Sequence, residues 1–464
     1  MPKCGGLVGL GIGCNPLCFG LMNMKRLLKR IEQPMSSASA GALPVRLSGR
    51  VLYAVNHCYP FSSNGYAVRT HGVAAGLVHA GCEVVAVARP GTPWDRPGCA
   101  DANGVHCHVL DGVRYLHTRS PSPQGVPLGV YIEQSAAALT QMARVYKPVA
   151  IMAASNWHNA LPAALAARAL GLPFFYEVRG FWEVSQAARD PGWEHSPSFA
   201  QEVAGETAVA QSAQRVFTLN RFMRDELVRR GVSAQRIDLV PNGFPGWEAA
   251  PAQPVSRQGL GIRSRHVMGY IGSFNVYEGL ELLIEALALV RGQGLDVTLL
   301  LVGSGEPRGL ALGQTEACPQ TMAYRQLAQR LGVAEHVIMP GRVAPEQAAA
   351  YYALLDVVVV PRQPWAVCEL VSPMKPLEAA AHGKRVLMSD VAPLADLASL
   401  YPGFSYFSKG NVAALARQLT ALLQAPAHPP PRTDALARLT WDNNVQPMAT
   451  AIHALPGVRS KSRI

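Results

Sequence analysis

Three charged side chains in one short stretch of the sequence have the types and the spacing to bind an anionic ligand. The stretch is 361–389, PRQPWAVCELVSPMKPLEAAAHGKRVLMS, and the three are Glu369, Lys375 and Glu378. The valine run 357–360 predicts a strand, and Gly383 predicts the end of the helix that Lys375 and Glu378 open. Charges gathered where a strand ends and a helix begins suit an anion. The alternative is a solvated loop whose acids are favoured by the helix dipole.

A second polar group follows a predicted strand in the first half of the chain. The strand 174–177 ends in Glu177, and Arg179 and Trp182 come directly after it. Side chains at the carboxyl end of a parallel strand lie where open α/β sheets bind ligands. The alternative is an edge loop held by an internal Arg–Glu pair. Gly65 precedes an earlier helix, where it would let a ligand approach the backbone.

Short apolar runs alternate with helical periods along most of the chain, which indicates βαβ units and parallel sheets. One series begins at 51–55 and a second at 267–274, and the segment 241–259 between them is rich in Pro, Gly and Gln. Such a composition is typical of a linker. The sequence therefore predicts an α/β fold of two Rossmann-like, doubly wound domains that face a cleft.

The predicted boundaries follow these changes of pattern. They are a leader at 1–48, an N-terminal domain at 49–244, a linker at 245–264, a C-terminal domain at 265–430, a closing helix at 431–456 and a basic tail at 457–464. The leader contains the basic amphipathic segment MKRLLKRIEQ, and it is predicted to be disordered or to form a short helix there on a membrane surface. A start codon assigned too early is the other alternative.

The composition favours anionic small molecules or lipids as partners. The 464 residues include 42 Lys+Arg and 31 Asp+Glu, a formal net charge of +11. The basic residues are scattered and form no nucleic-acid-binding motif, so nucleic acid is not a predicted partner. Nine cysteines without paired spacing indicate a reducing, cytoplasmic compartment. His106 and His108 share a predicted strand face but lack further ligands, so they predict no metal site.

An ordered series of motifs resembles the family 4 glycosyltransferases, a retaining, nucleotide-sugar-dependent class with the GT-B fold. The motifs span about 51–455 and are the Gly65 loop, FYEVRGFWE, VPNGF, YIGSFNVYEGLELLIEAL, LLLVGSGEP, PGRV and SPMKPLEAAAHGKRVLMSD. They look most like bacterial members that assemble exopolysaccharide, capsule or lipopolysaccharide. The resemblance implies that the closing helix 431–456 crosses back to pack on the N-terminal domain.

The resemblance also implies a donor site in the C-terminal domain. Glu369 would face the transferred sugar, and Lys375 and Arg362 would supply positive charge for the diphosphate. Glu378 would hold the ribose hydroxyls through its carboxylate. Fixed cations stabilise a leaving diphosphate without a metal ion.

Five further residues would complete the donor site by their positions in the motifs. Gly272 and Ser273 would face the diphosphate at the end of a strand. Arg342 and Val343 would lie against the nucleobase. Gly65 would close on the phosphates from the opposite domain.

Three positions depart from the family pattern. Glu369 and Glu378 stand one position further apart than is usual, and Glu278 replaces a lysine that many relatives use for the diphosphate. That duty would pass to Lys375 or Arg362. Arg179 replaces a histidine; because a guanidinium stays charged at neutral pH, it cannot act as a base. Together with Trp182, Arg179 is therefore predicted to bind acceptor or phosphate.

The predicted activity is transfer of a sugar to a glycan or polyprenyl-linked saccharide, in surface polysaccharide synthesis at the inner face of the cytoplasmic membrane. No cofactor is expected beyond the nucleotide-sugar substrate. No metal is expected either, because no two aspartates stand two apart and the Asp-x-Asp metal clamp is absent. Two alternatives are a nucleotide-sugar epimerase of the same architecture and a non-catalytic subunit that binds a nucleotide-sugar or glycan in an assembly complex.

Overall fold

Two separate parallel sheets organise the chain. A computed structural model describes residues 16–32, 49–62, 64–95, 106–247, 254–305, 318–426, 429–456 and 458. Alternate residues of each sheet enter apolar clusters on its two faces, so that in β1 (Arg50–Val55) Leu52 packs on one side and Tyr53 on the other. Both sheets are thus covered on both faces, and the predicted class of two doubly wound α/β domains is confirmed.

The N-terminal sheet has the strand order β3-β4-β2-β1-β5-β6-β7-β8 in the described residues. Only the β3–β4 pair is antiparallel there, as a hairpin at the sheet edge. The strands after β1 are β2 (Glu83–Ala88), β3 (Cys107–Leu110), β4 (Val113–Leu116), β5 (Ala150–Ala154), β6 (Phe174–Val178), β7 (Arg215–Thr218) and β8 (Ile237–Leu239).

The helices of this half cover the sheet and begin at polar caps. Asn64, Ser196 and Asn220 each accept a hydrogen bond from the backbone of the first turn that follows. The helices are α1 (Pro16–Glu32), α2 (Gly65–His79), α3 (Leu128–Tyr146), α4 (Trp157–Ala169), α5 (Trp182–Ala187), α6 (Pro197–Ser212) and α7 (Arg221–Arg229).

The first helix differs from what the sequence predicted for the leader. Met24, Leu27 and Ile31 recur at helical spacing and are buried in the core of the N-terminal domain, where α1 packs on α3, α4 and α6. This apolar face is therefore covered by protein, so it is neither disordered nor available to a membrane. The remaining leader residues, 1–15 and 33–48, lie outside the described residues, as do 248–253 of the linker and most of the tail.

The C-terminal sheet is entirely parallel in the described residues, with the order β11-β10-β9-β12-β13-β14. Its strands are β9 (His266–Ile271), β10 (Val297–Val302), β11 (Val337–Gly341), β12 (Val357–Val360), β13 (Arg385–Ser389) and β14 (Phe404–Phe407). Its helices are α8 (Leu280–Gly292), α9 (Pro319–Arg330), α10 (Ala348–Leu354), α11 (Ala366–Leu370), α12 (Lys375–Ala381), α13 (Ala392–Ala395) and α14 (Val412–Gln424). No described helix is long and apolar enough to cross a bilayer.

The chain then returns to the N-terminal domain through three short helices, α15 (Asp434–Ala437), α16 (Trp441–Asn444) and α17 (Gln446–His453). Trp441 fits where two glycines leave room: a methyl group added at Gly72 or at Gly243 would lie 2.3 Å from its ring. The returning chain also runs beside the outgoing one, since the Phe244 amide donates to the Leu439 carbonyl at 2.6 Å. Glycine at these positions therefore fixes where the closing segment packs.

We expect Gly72→Ala to destabilise the protein, although alanine is the better helix former by up to about 1 kcal/mol. The added methyl would overlap the Trp441 ring, and overpacking costs about 1–3 kcal/mol. Urea denaturation measures the change in the free energy of unfolding. Gly292→Ala is the matched control, because no atom lies within 4 Å of its added methyl. Equal stability of the two variants, or a Gly72→Ala cost that persists in a Trp441→Ala background, would contradict this packing.

Candidate active site

The polar residues singled out by the sequence lie at the carboxyl ends of strands in both domains, where the two domains meet. A methyl group added at Gly65, which follows the β1 loop, would lie 3.8 Å from Sδ of Met374. Asn220, after β7, donates to the Leu370 carbonyl at 2.9 Å. Arg189 donates to Oδ1 of Asn275 at 2.8 Å. The two carboxyl edges therefore face each other.

A buried carboxylate joins the two cations predicted for the diphosphate. Glu278 is 1% exposed, and its Oε1 lies 3.1 Å from Nη2 of Arg362 and 3.2 Å from Nζ of Lys375. Burial alone would raise the pKa of Glu278, but Arg362 and Lys375 outweigh it and lower that pKa to about 2. We call Glu278, Arg362 and Lys375 the cation cluster; its net charge is +1.

Only one member of the cation cluster can serve a ligand directly. Arg362 is buried, and besides Glu278 its guanidinium donates to the Val371 carbonyl at 2.7 Å. This differs from the prediction that Arg362 faces the diphosphate, because its donors and its charge are taken up inside the protein. Lys375 keeps partial exposure, so the net charge of the cluster is accessible at Nζ.

The backbone beside Lys375 requires glycine. Gly272 has φ +148°, and a methyl group there would lie 2.4 Å from Cε of Lys375. Nζ of Lys375 lies 5.2 Å from the centre of the Tyr270 ring, a distance at which the ring attracts the ammonium through a cation–π interaction. The predicted strand-end pair Gly272 and Ser273 thus lies next to Lys375, with Ser273 exposed.

Glu378 lies one turn after Lys375 on α12 and is half-buried. Burial raises its pKa, and Lys375 acts in the opposite direction. The pKa of Tyr59 is raised to about 12, mainly by burial and secondly by the negative charge of Glu378. Tyr59, a residue of the N-terminal domain, therefore lies near the Glu378 carboxylate. Glu378 therefore lies where the two domains meet, as a donor site requires.

Glu369 points to a different set of neighbours. Its Oε2 accepts a hydrogen bond from the Ala392 amide at 2.9 Å, and its Oε1 is ion-paired with Lys409. The structure therefore ties Glu369 to the start of α13 and does not join it to the cation cluster. Its carboxylate stays partly exposed, and the predicted contact with the transferred sugar stays a prediction.

Arg342 and Val343 follow the edge strand β11, and both are half-buried at the carboxyl end of the sheet. Gly65 is exposed at the first position of α2, whose cap Asn64 accepts from the Ala67 amide at 3.0 Å. The predicted nucleobase and phosphate contacts of these residues stay predictions. What the structure adds is their common placement on the facing edges.

Arg179 belongs to a buried network and is not a free ligand-binding group. Its guanidinium bonds to Glu177, to Tyr53 and, at 2.7 Å, to Oγ1 of Thr70. It is 3% exposed, and Glu177 is fully buried. Burial would raise the pKa of Glu177, but Arg179 and Arg69 outweigh it and lower that pKa. The predicted acceptor or phosphate contact of Arg179 is thus corrected to an internal role.

Trp182, by contrast, is 42% exposed. It begins α5, beside the carboxyl end of β6, and its ring packs edge-to-face on Trp193 with the centroids 5.9 Å apart. Trp193 packs in the same way on Phe199. An aromatic surface therefore stands next to the facing edges, which is compatible with the predicted acceptor contact.

Two residues of a hydrogen-bonded chain between the domains were not identified from the sequence. Arg69 bonds Glu177 at 2.8 Å and Oδ1 of Asn242 at 3.0 Å, and Asn242 donates in turn to the Ser372 carbonyl at 3.0 Å. This chain connects the buried network to the loop that precedes Lys375. Only the asparagine left a signal, because it lies in VPNGF, a motif of the resemblance.

No group of three or more His, Cys, Asp or Glu side chains in the described part of the chain has the arrangement of a metal site. His108, which the sequence placed on a strand face with His106, stacks on Tyr115 with the ring centroids 4.9 Å apart. Its role in the described residues is packing.

The low pKa of Glu278 predicts a loss of stability in acid. The folded-state pKa lies below the ordinary 4.5, so the stabilisation is present above pH 4.5 and is lost as pH falls toward 2. The shift corresponds to about 3 kcal/mol. Urea denaturation at several pH values should show a smaller decrease for Glu278→Gln than for the wild type. Glu285→Gln on α8 is the control. If the stability of Glu278→Gln falls in acid as steeply as that of the wild type, the assignment is contradicted.

Comparisons with known proteins agree with this geometry. Residues 64–243 match the family described as "Glycosyl transferase 4-like domain", and 265–425 match "Glycosyl transferases group 1". D-inositol 3-phosphate glycosyltransferase of Acidothermus cellulolyticus is 25% identical over 341 residues, which cover 63% of this chain and 73% of that protein. A Mycolicibacterium smegmatis protein named GDP-mannose-dependent alpha-(1-6)-phosphatidylinositol monomannoside mannosyltransferase is 25% identical over 33% of this chain and 37% of its own length.

Solved structures share the two-domain fold. Sucrose-phosphate synthase from Thermosynechococcus elongatus has a TM-score of 0.61 and 20% identity, covering 88% of this chain and 95% of its own. Anabaena Alr3699/HepE in complex with UDP and glucose has a TM-score of 0.58 and 18% identity, covering 87% and 95%. Because the two family matches cover both domains, with the motifs in order, the chain belongs to the family 4 glycosyltransferases, enzymes of the GT-B fold.

Proposed function

We propose that this glycosyltransferase moves a sugar from a nucleoside diphosphate donor to a glycan or polyprenyl-linked saccharide, with retention at the anomeric carbon and without a metal ion. The proposed use of a nucleoside diphosphate donor rests on one observation: Lys375 is the accessible cation of the cation cluster, at the facing edges of the two sheets. The acceptor half rests on the resemblance of the motifs to bacterial surface polysaccharide enzymes, and it sets the reaction at the inner face of the cytoplasmic membrane.

In this reaction the bond between the anomeric carbon and the diphosphate oxygen breaks, and the acceptor hydroxyl oxygen bonds to that carbon. The departing phosphate keeps the electron pair and takes the proton of the acceptor hydroxyl. Negative charge therefore grows on the diphosphate, where Lys375 stabilises it. Such a route needs no side-chain base, which agrees with the burial of Arg179 where many relatives place a histidine.

The remaining donor contacts follow from placement. Glu378 accepts from the ribose hydroxyls, one turn after Lys375 on α12. Gly65 closes over the phosphates from the N-terminal domain, beside Met374. Glu369 faces the transferred sugar through its partly exposed carboxylate. Trp182 offers an aromatic surface to the acceptor.

We expect Lys375→Gln to weaken binding of UDP or GDP, whichever the enzyme takes, by about 10- to 100-fold, because one charge-assisted contact is lost. Binding of the matching nucleoside should stay unchanged, since it carries no diphosphate. Glu378→Gln should weaken both ligands alike, because both carry the ribose. Isothermal titration calorimetry measures all four affinities.

Arg417→Gln on α14 is the matched control, because it removes one exposed positive charge from a helix to which no site residue is assigned. It should bind both ligands as the wild type does. Equal loss of nucleoside and diphosphate affinity in Lys375→Gln would contradict the assigned phosphate contact.

Sugar transfer should survive an excess of chelator, because Lys375 supplies the positive charge for the leaving group. The assay follows release of nucleoside diphosphate from a panel of nucleotide-sugars. Its acceptors are polyprenyl-linked saccharides and, because of the names of the relatives, inositol phosphate and phosphatidylinositol mannoside. An absolute requirement for Mg²⁺ or Mn²⁺ would overturn metal independence. Donor turnover without any acceptor would favour an epimerase, and donor binding without turnover would favour a non-catalytic subunit.

A further inference from the structure

We propose that the exposed face of α1 docks the N-terminal domain onto an anionic lipid surface through four basic side chains. These are Lys25, Arg26, Lys29 and Arg30, and all four are exposed. We call them the basic face. The contact lies on a helix that supplies no residue to the candidate active site, so it is separate from sugar transfer.

Packing fixes the direction in which the basic face points. Met24, Leu27 and Ile31 are buried against the domain, so the side chains between them are held outward on a rigid support. Lys25 and Lys29 are four residues apart, as are Arg26 and Arg30, and residues at this spacing share one side of a helix. An amphipathic helix on a membrane would insert its apolar face into the lipid. Here the apolar face of α1 is packed in protein, so the charged face would contact the lipid headgroups.

The charges of the basic face are not compensated locally. Within the described part of the chain none of the four side chains forms an ion pair, and Glu32 is the one acid among residues 24–32. Four uncompensated cations on one rigid face attract a surface of dense negative charge. Clusters of this size are typical of segments that bind acidic lipid headgroups.

An exposed apolar residue on the neighbouring helix favours lipid over nucleic acid. The helix α3, on which α1 packs, ends with Arg144, Val145 and Lys147 all exposed, and Val145 is 72% exposed. Uncharged groups beside cations suit the boundary between headgroups and acyl chains. Nucleic-acid sites instead pair cations with aromatic or hydrogen-bonding side chains, which the basic face does not offer.

The test is sedimentation of the full-length protein with vesicles of phosphatidylcholine, with and without phosphatidylglycerol, at low and high salt. The wild type should bind only the anionic vesicles and should dissociate at high salt. The variant with Lys25→Gln, Arg26→Gln, Lys29→Gln and Arg30→Gln should bind roughly 100- to 1000-fold more weakly. Lys29→Gln with Arg30→Gln alone should lie between the two, which keeps the test decisive if the fourfold variant folds poorly.

The matched control removes the same number of charges from exposed positions of the C-terminal domain: Arg265→Gln, Arg325→Gln, Arg330→Gln and Arg417→Gln. It should bind vesicles as the wild type does. Equal loss in the control would show a general charge effect and overturn the proposal. Unchanged binding of the basic-face variants, binding to neutral vesicles, or binding to RNA without binding to vesicles would also overturn it. The sedimentation assay contains no sugar donor or acceptor, so a result against lipid docking would not contradict the proposed transfer reaction.

Discussion

A carboxylate with no exposure, Glu177, imposes requirements that reach across the molecule. Burying an unpaired charge costs roughly several kcal/mol, so β6 can carry this residue only because Arg69 and Arg179 pair with it. Arg69 also holds Asn242, and Asn242 holds Ser372 in the other domain. The loop that leads into Lys375 is therefore positioned by an ion pair formed on the opposite side of the cleft.

Both domains place one carboxylate between two cations at the carboxyl edge of the sheet, yet the two clusters differ in whether a ligand can reach their charge. The Glu177 cluster is closed, because each guanidinium is buried and bonded within the protein. The Glu278 cluster leaves one ammonium, that of Lys375, partly exposed. Equal net charge thus gives a closed structural element in one domain and an accessible cation in the other.

The alternation of apolar runs and helical periods was sufficient to predict both sheets and their class. Side-chain partners were not predictable in the same way. Arg362 was interpreted as a ligand contact because its partner Glu278 lies 84 positions before it in the sequence. For Arg179 the sequence allowed both a ligand contact and an internal pair with a glutamate, and the burial that decides for the pair with Glu177 cannot be read from a sequence. For α1, periodicity identified the apolar face, but whether protein or lipid covers such a face depends on tertiary packing. The motif series compensated for part of this by predicting which strand ends belong to the donor site.

The chain passes between the domains twice, and the two passages are hydrogen-bonded to each other at Phe244 and Leu439. A single connection would let the domains swivel in several directions. Two connections side by side restrict relative rotation of the domains mainly to one axis. Any separation of Gly65 from Met374 would therefore follow a single path, so that the two halves of the cleft would return to the same register when they meet again.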